Sequence, residues 1–168
     1  MRPFPLMLSG LLLALSMPQV CSAADKTTVL GWQERALIAP EGKEIQMELD
    51  PTTAKSSMAV HDLVAFQKNG EDWVRFGVQS FSGLLGTAAD LTLERKVLRS
   101  EKSKNSFGSS QRQVIRFSMC IGSQVYNEEL TLKVHEKGDS PIKLGRDAIA
   151  NIGLIDASRS NTIKPQCN

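Results

Sequence analysis

The stretch His61 to Gln79, HDLVAFQKNGEDWVRFGVQ, most constrains what this chain can fold into. Two runs rich in strand-forming residues flank Asn69-Gly70, a dipeptide that accepts the positive φ angles a two-residue hairpin turn demands. The same layout recurs along the chain. Thr28–Pro40 and Lys43–Asp50 flank a Pro-Glu-Gly turn, and Arg112–Ile121 and Val125–Glu136 flank Gly-Ser-Gln. In VIRFSMCI the alternation sets Ile115, Phe117 and Met119 on one face and Arg116, Ser118 and Cys120 on the other. Only Leu144–Gly153, LGRDAIANIG, reads as a helix, and IGLID behind it as a closing strand. From Ser80 to Gln111 the pattern fades, and RSEKSKNSFGSSQR reads as a mobile charged loop. These elements predict a single all-β barrel or sandwich of hairpins with one short C-terminal helix.

The first residues are a separate matter. Arg2 precedes the apolar run Leu6–Met17, and small residues follow at Ser22, Ala23 and Ala24. That is the layout of a secretory signal peptide, with cleavage after Ala23 or Ala24. It divides the chain into residues 1–24, the signal, and 25–168, one folded domain. Processing as a lipoprotein at Cys21 ranks lower, because Gln19-Val20 lacks the small residue such processing wants. The expected location is periplasmic or secreted, with no stable membrane anchor after cleavage. Residues 25–168 hold 19 basic and 18 acidic side chains, a balance that argues against nucleic acid as a partner. Cys120 and Cys167 remain, and in an oxidising compartment they are either a disulfide or two free thiols.

Elimination narrows the chemistry. His61 and His135 stand apart, without HExxH, CxxC or carboxylates at ligand spacing, so the sequence predicts no metal site. Ser56-Ser57 and Ser109-Ser110 lack the Gly-x-Ser-x-Gly elbow of a nucleophilic serine, and no phosphate-binding glycine loop occurs. The carboxylates are left, and Asp50 is the one to weigh. By itself, Asp50-Pro51 is an ordinary loop opener.

Its surroundings change that reading. LGWQERALI, ELDPTTAKSSMAVHDL, NGEDWVRFGV, RQVIRFSMCIGSQVYNEELTLKV and IKLGRDAIANIGLID follow one another between Leu30 and Asp156. In this order they resemble the retropepsin-like aspartic peptidases, in particular the bacterial group labelled "ATP-dependent zinc protease" and associated with ATP-grasp glutamate ligases. The resemblance implies a closed acid-protease barrel in its half-size form. It sets Asp50 at the catalytic position, with Ser56, Ser57, Met58, Asp62 and Leu63 on their counterparts. Each subunit of such an enzyme supplies one Asp, so the resemblance also implies a homodimer acting on a peptide or protein substrate without a cofactor. Leu144-Gly145-Arg146 is then expected to pack behind the catalytic loop.

One departure qualifies the resemblance. Asp-Thr-Gly of the family is Asp50-Pro51-Thr52 here. Pro51 has neither the hydroxyl that ties two such loops across the dimer axis nor a backbone N–H. Thr52 brings a β-branched side chain to a position where glycine lets the N–H approach the carboxylate, and it is expected to crowd that approach. Lys143 stands where an apolar residue usually precedes Leu-Gly. The expected function is a peptidase-type domain that hydrolyses or binds extended peptides, with catalysis weakened or lost. The alternative is a non-catalytic peptide-binding envelope module on the same fold. No zinc ligand set or ATP-binding pattern accompanies the resemblance, and the glutamate-rich substrates of cytoplasmic members do not carry over behind a signal peptide.

Overall fold

A computed structural model describes residues 28–82, 87–105, 108–134 and 140–167 of the chain. The signal-peptide reading of 1–24 and His135 lie outside the described residues. The elements run β1 (Val29–Ala39), β2 (Lys43–Leu49), β3 (Ser56–Lys68), β4 (Glu71–Ser82), β5 (Thr87–Asn105), β6 (Gly108–Ile121), β7 (Gln124–Val134), β8 (Ile142–Leu144), α1 (Arg146–Ile152) and β9 (Leu154–Ser160).

The predicted turns form where the sequence placed them. Lys68 pairs with Glu71 across Asn69 and Gly70, whose φ angles of 54° and 76° suit the tight two-residue turn. Ile121 pairs with Gln124, and Gly122 at φ 61° lets the chain reverse there. β1 and β2 pair antiparallel from Ile38↔Lys43 to Gln33↔Glu48, with Pro40 and Gly42 in the connection.

β5 and β6 differ from expectation. The segment read as a mobile loop is a long hairpin arm, paired from Val97↔Ile115 to Asn105↔Gly108. Its sequence, RSEKSKNSFGSSQR, is almost wholly polar, so no apolar alternation marks it as strand. Backbone pairing holds it instead, together with charge contacts such as Arg99 to Glu101 and Arg99 to Glu129.

The sheet closes on itself. β3, β4, β5, β6 and β7 pair in succession, and β7 returns to β3 in parallel, from Ser56↔Leu130 to Val60↔Val134. β8 slots between β2 (parallel, Met47↔Ile142) and β3 (antiparallel, Ser57↔Lys143). β1 joins β6 through Leu37↔Cys120, and β9 lies parallel to β1. The fold is therefore the expected all-β ring of hairpins with one short helix.

Inside the ring lie Ile38, Ile45, Met47, Met58, Phe76, Phe117, Met119, Leu130, Ile142 and Leu144, all inaccessible to solvent. Each such burial contributes about 1.5–3 kcal/mol before chain entropy is set against it. α1 closes one end by burying Ala148, Ile149 and Ile152. The helix is shorter than Leu144–Gly153 because Leu144 belongs to β8 and Gly145, in extended conformation, is its N-cap.

The inward face of β6 holds Ile115, Phe117 and Met119, as the alternation predicts. Cys120 is buried as well, because the C-terminal tail crosses it. Its Sγ is bonded to that of Cys167, and the N–H of Gln166 donates to Gly122 O.

Candidate functional site

Asp50 is the first residue beyond β2, and its N–H donates to Leu144 O at 2.8 Å. The barrel therefore fixes the start of the loop. Pro51 sets the next φ, and the chain folds back so that Thr52 meets the Asp50 side chain. The Thr52 N–H donates to Asp50 Oδ1 at 2.9 Å, and Thr52 Oγ1 donates to the same oxygen. Thr52 was expected to crowd the carboxylate away from a backbone donor. Instead its N–H still reaches Asp50, because the side chain rotates onto the carboxylate and adds a second donor.

These donors decide the electrostatics. The Thr52 hydroxyl, then its N–H, hold the Asp50 carboxyl below the usual aspartate range, with a smaller contribution from the Lys143 ammonium. The residue is only partly buried, so desolvation opposes the shift weakly. Lys143 also lies 3.8 Å from Glu48 and so sits between two carboxylates.

Behind the loop runs the Leu144-Gly145-Arg146 segment. Arg146 Nη1 donates to Pro51 O at 3.0 Å and to Thr52 O at 2.9 Å. The backbone N–H groups of Arg146 and Asp147 donate to Thr53 O and Ala54 O. The Gly145 N–H donates to Ser56 Oγ at 3.0 Å, which gives that buried hydroxyl its role. A Cβ on Gly145 would lie 2.5 Å from Ala54 O, so only glycine allows this approach. Ser57 is buried beside Ser56 at the start of β3. The structure thus brings Asp50, Pro51, Thr52, Ser56, Leu144, Gly145 and Arg146 into one assembly. Cys120 and Cys167 form a separate one under the C-terminal tail.

Next to the loop lies a groove of about 280 Å³ that sequence reading missed. Thr53 and Lys55 form one wall, the β5–β6 arm contributes Lys102 and Arg112, and Lys133 rises from β7. Glu101 is the acidic member of the lining. Lys133 is held below the usual lysine range by burial and by the charges of Arg112 and Lys143, against a partial opposite pull from Asp50. The groove is therefore basic and polar, with Ser56, Ser57 and Thr131 adding hydroxyl groups. No sequence signal could expose it, since its cations come from four separate segments.

A second depression of about 190 Å³ continues past Lys55 and Ser56 toward α1. There burial pushes the Glu128 carboxyl above its usual range despite a bond from Asn151. His61 is not isolated, because Asp62 lies 2.9 Å from Nδ1 and Asp90 3.4 Å from Nε2. Among the described residues no group of three or more His, Cys, Asp or Glu side chains is arranged to hold a metal ion.

A single ionised carboxylate beside a cationic groove can orient a peptide and accept a proton from water. It lacks a protonated partner, which a second copy would supply. Comparison with known proteins places the fold. A family model described as "Retropepsin-like aspartic endopeptidase RimB" matches residues 29–166. A probable alpha-L-glutamate ligase of Shewanella pealeana is 28% identical over 139 residues, which is 82% of this chain and 30% of that protein. A protein of the same description from Desulfotalea psychrophila is 30% identical over 113 residues, 67% of this chain and 24% of its own length. The chain thus spans less than a third of the curated relatives it matches. A crystal structure of Lpg0085, a Legionella pneumophila protein of unknown function, superposes with a TM-score of 0.65 at 23% identity. That match covers 81% of this chain and 98% of the other, and at this identity it shows the shared fold alone.

Proposed function

The chain belongs to the RimB-like family of retropepsin-like aspartic endopeptidases, and from that premise we propose that it binds extended peptides outside the cytoplasm as a homodimer, with Asp50 of each protomer forming the catalytic pair. Two carboxylates about 3 Å apart cannot both ionise, so the pair shares one proton. The ionised member takes a proton from water as that water attacks the peptide carbonyl, and the protonated member donates to the carbonyl oxygen. The observation that carries this reading is the Asp50 carboxylate itself. It stands partly exposed beside a groove, on a loop bonded from behind by Arg146 and the Gly145 segment.

The groove adds a preference. Lys55, Lys102, Arg112 and Lys133 outnumber Glu101, so an extended peptide with acidic side chains fits better than a neutral one. Catalysis is weaker than in an Asp-Thr-Gly enzyme, because Pro51 offers no hydroxyl to the opposite loop. A loop displaced by about 1 Å costs on the order of a hundredfold in rate. The ligase activity named for the curated relatives belongs to proteins more than three times longer than the matched segment and is not part of this reading.

A cleavage assay on mixed peptide libraries, enriched in acidic sequences, tests the proposal with wild type, Asp50→Asn and the double variant Pro51→Thr/Thr52→Gly. Wild-type cleavage lost in Asp50→Asn supports a working peptidase. Cleavage by the double variant alone supports the peptide-binding module that has lost its chemistry, the second reading favoured by the Pro51 substitution. Absence of cleavage and of dimers in all three overturns the catalytic-pair assignment.

A further inference from the structure

Pro51 C=O and Thr52 N–H belong to one peptide unit, whose planarity ties the direction of the carbonyl to that of the N–H. Arg146 holds the carbonyl end of this unit at 3.0 Å, and Asp50 Oδ1 receives the N–H end at 2.9 Å. The same guanidinium nitrogen holds Thr52 O, while the Thr52 hydroxyl bonds Oδ1 a second time. A continuous path therefore runs from the first residue of α1, through a rigid peptide plane, to the carboxylate. Both Thr52 donors fall on Oδ1.

Building on the peptidase reading above, the geometry points to Thr52 as the positioning residue of Asp50, with Arg146 as its brace: together they orient within one protomer the carboxylate that a threonine pairing across the axis would otherwise secure. Three features support it. Thr52 supplies both the backbone donor and a hydroxyl donor from one exposed residue, so the orientation needs no second chain. Arg146 braces through one nitrogen, since Nη1 carries two N–H groups and donates to both neighbouring carbonyls in the fixed plane of the guanidinium, whereas a lysine ammonium is a flexible point charge. Pro51 fits the arrangement, since its fixed φ removes one degree of freedom from the unit that Arg146 and Thr52 hold.

The test follows the Asp50 carboxyl by carbon NMR through an acid titration, in wild type, Thr52→Val, Thr52→Ser and Arg146→Lys, alongside kcat and KM on an acidic library peptide. Thr52→Val keeps the shape and removes the hydroxyl, and it is expected to move the Asp50 midpoint up toward an ordinary aspartate. Thr52→Ser is expected to keep the low midpoint, and Arg146→Lys to shift it part of the way. kcat is expected to fall about tenfold or more in Thr52→Val with KM little changed, the signature of lost orientation rather than lost binding. An Asp50 titration in Thr52→Val that overlays wild type overturns the inference, even if wild type proves to be a peptidase. If wild type cleaves nothing, the peptidase reading fails, and the titrations alone still decide the positioning role.

Discussion

Glu34 and Asp50 are both carboxylates that accept hydrogen bonds from backbone N–H groups and a threonine hydroxyl, yet they sit in opposite circumstances. Glu34 is sealed from solvent. Its Oε1 accepts from the N–H of Gly31, the N–H of Thr162 and Thr162 Oγ1, and its Oε2 accepts from the N–H of Ile163. Every bond is made to another part of the same fold, and both oxygens are engaged. Asp50 is partly exposed, and its donors come from the next residues of its own loop, chiefly Thr52. A buried charge survives only when its partners are complete. The complete one therefore serves the structure, by tying the C-terminal tail to β1. The partly exposed one can meet a ligand from solvent.

Three experiments stress that contrast, from the largest expected effect to the smallest. Glu34→Ala strands the donors of Gly31, Thr162 and Ile163 in the interior, and should lower unfolding free energy by about 3 kcal/mol or more. Urea denaturation reads it, and the Asp50 titration of the surviving folded protein should be unchanged. A mild Glu34→Ala would mean that water replaces the carboxylate and the two sites differ less than the bonds imply.

Gly145→Ala forces a methyl group to within 2.5 Å of Ala54 O. The expected cost is about 1–3 kcal/mol in stability, together with displacement of the Asp50 loop. Amide chemical shifts of Thr52 and Thr53 should move while those around Thr162 stay. Equal movement at both ends would dissolve the distinction between the two regions.

The smallest effect is on the acid limb of stability. The folded Asp50 pKa lies below its unfolded value. Its contribution is therefore fully present above the unfolded value, near pH 4, and is lost as pH falls through the depressed folded value. Asp50→Asn should lower stability slightly at neutral pH, where the ionised carboxylate contributes in full, and converge on wild type as the pH falls through the depressed folded value. Thermal melts from pH 2 to 7 measure it. A difference confined to acid pH, or none at neutral pH, would contradict the bonding seen at Thr52.

How much of this was legible beforehand depends on the range of each signal. Asn69-Gly70 and Gly122 announce their hairpins because the turn needs backbone angles that only a few residues adopt. The placement of Leu144-Gly145-Arg146 behind Asp50 came from likeness to a family and agrees with the observed bonds. The β5–β6 arm escaped notice because period-two reading depends on alternating apolar residues, and RSEKSKNSFGSSQR has almost none. Thr52 was misjudged for a different reason. Its side chain was assigned a steric role, while the fold gives its hydroxyl an acceptor two residues away. Glu34 occupies an inward slot of β1, and nothing nearby in sequence explains a charge there. Its partners Thr162 and Ile163 lie 128 and 129 residues further on.

The residues alone decided strand from helix outside the β5–β6 arm and the positions of the tight turns, because backbone sterics and alternating polarity act over a few neighbouring positions. Closure of the ring, the arm that lines the basic groove, the complete partners of Glu34 and the bracing of the Asp50 loop by Arg146 were decided only by the folded chain. Each requires groups remote in sequence to meet at hydrogen-bonding distance, and that proximity exists only once the core has drawn the strands together.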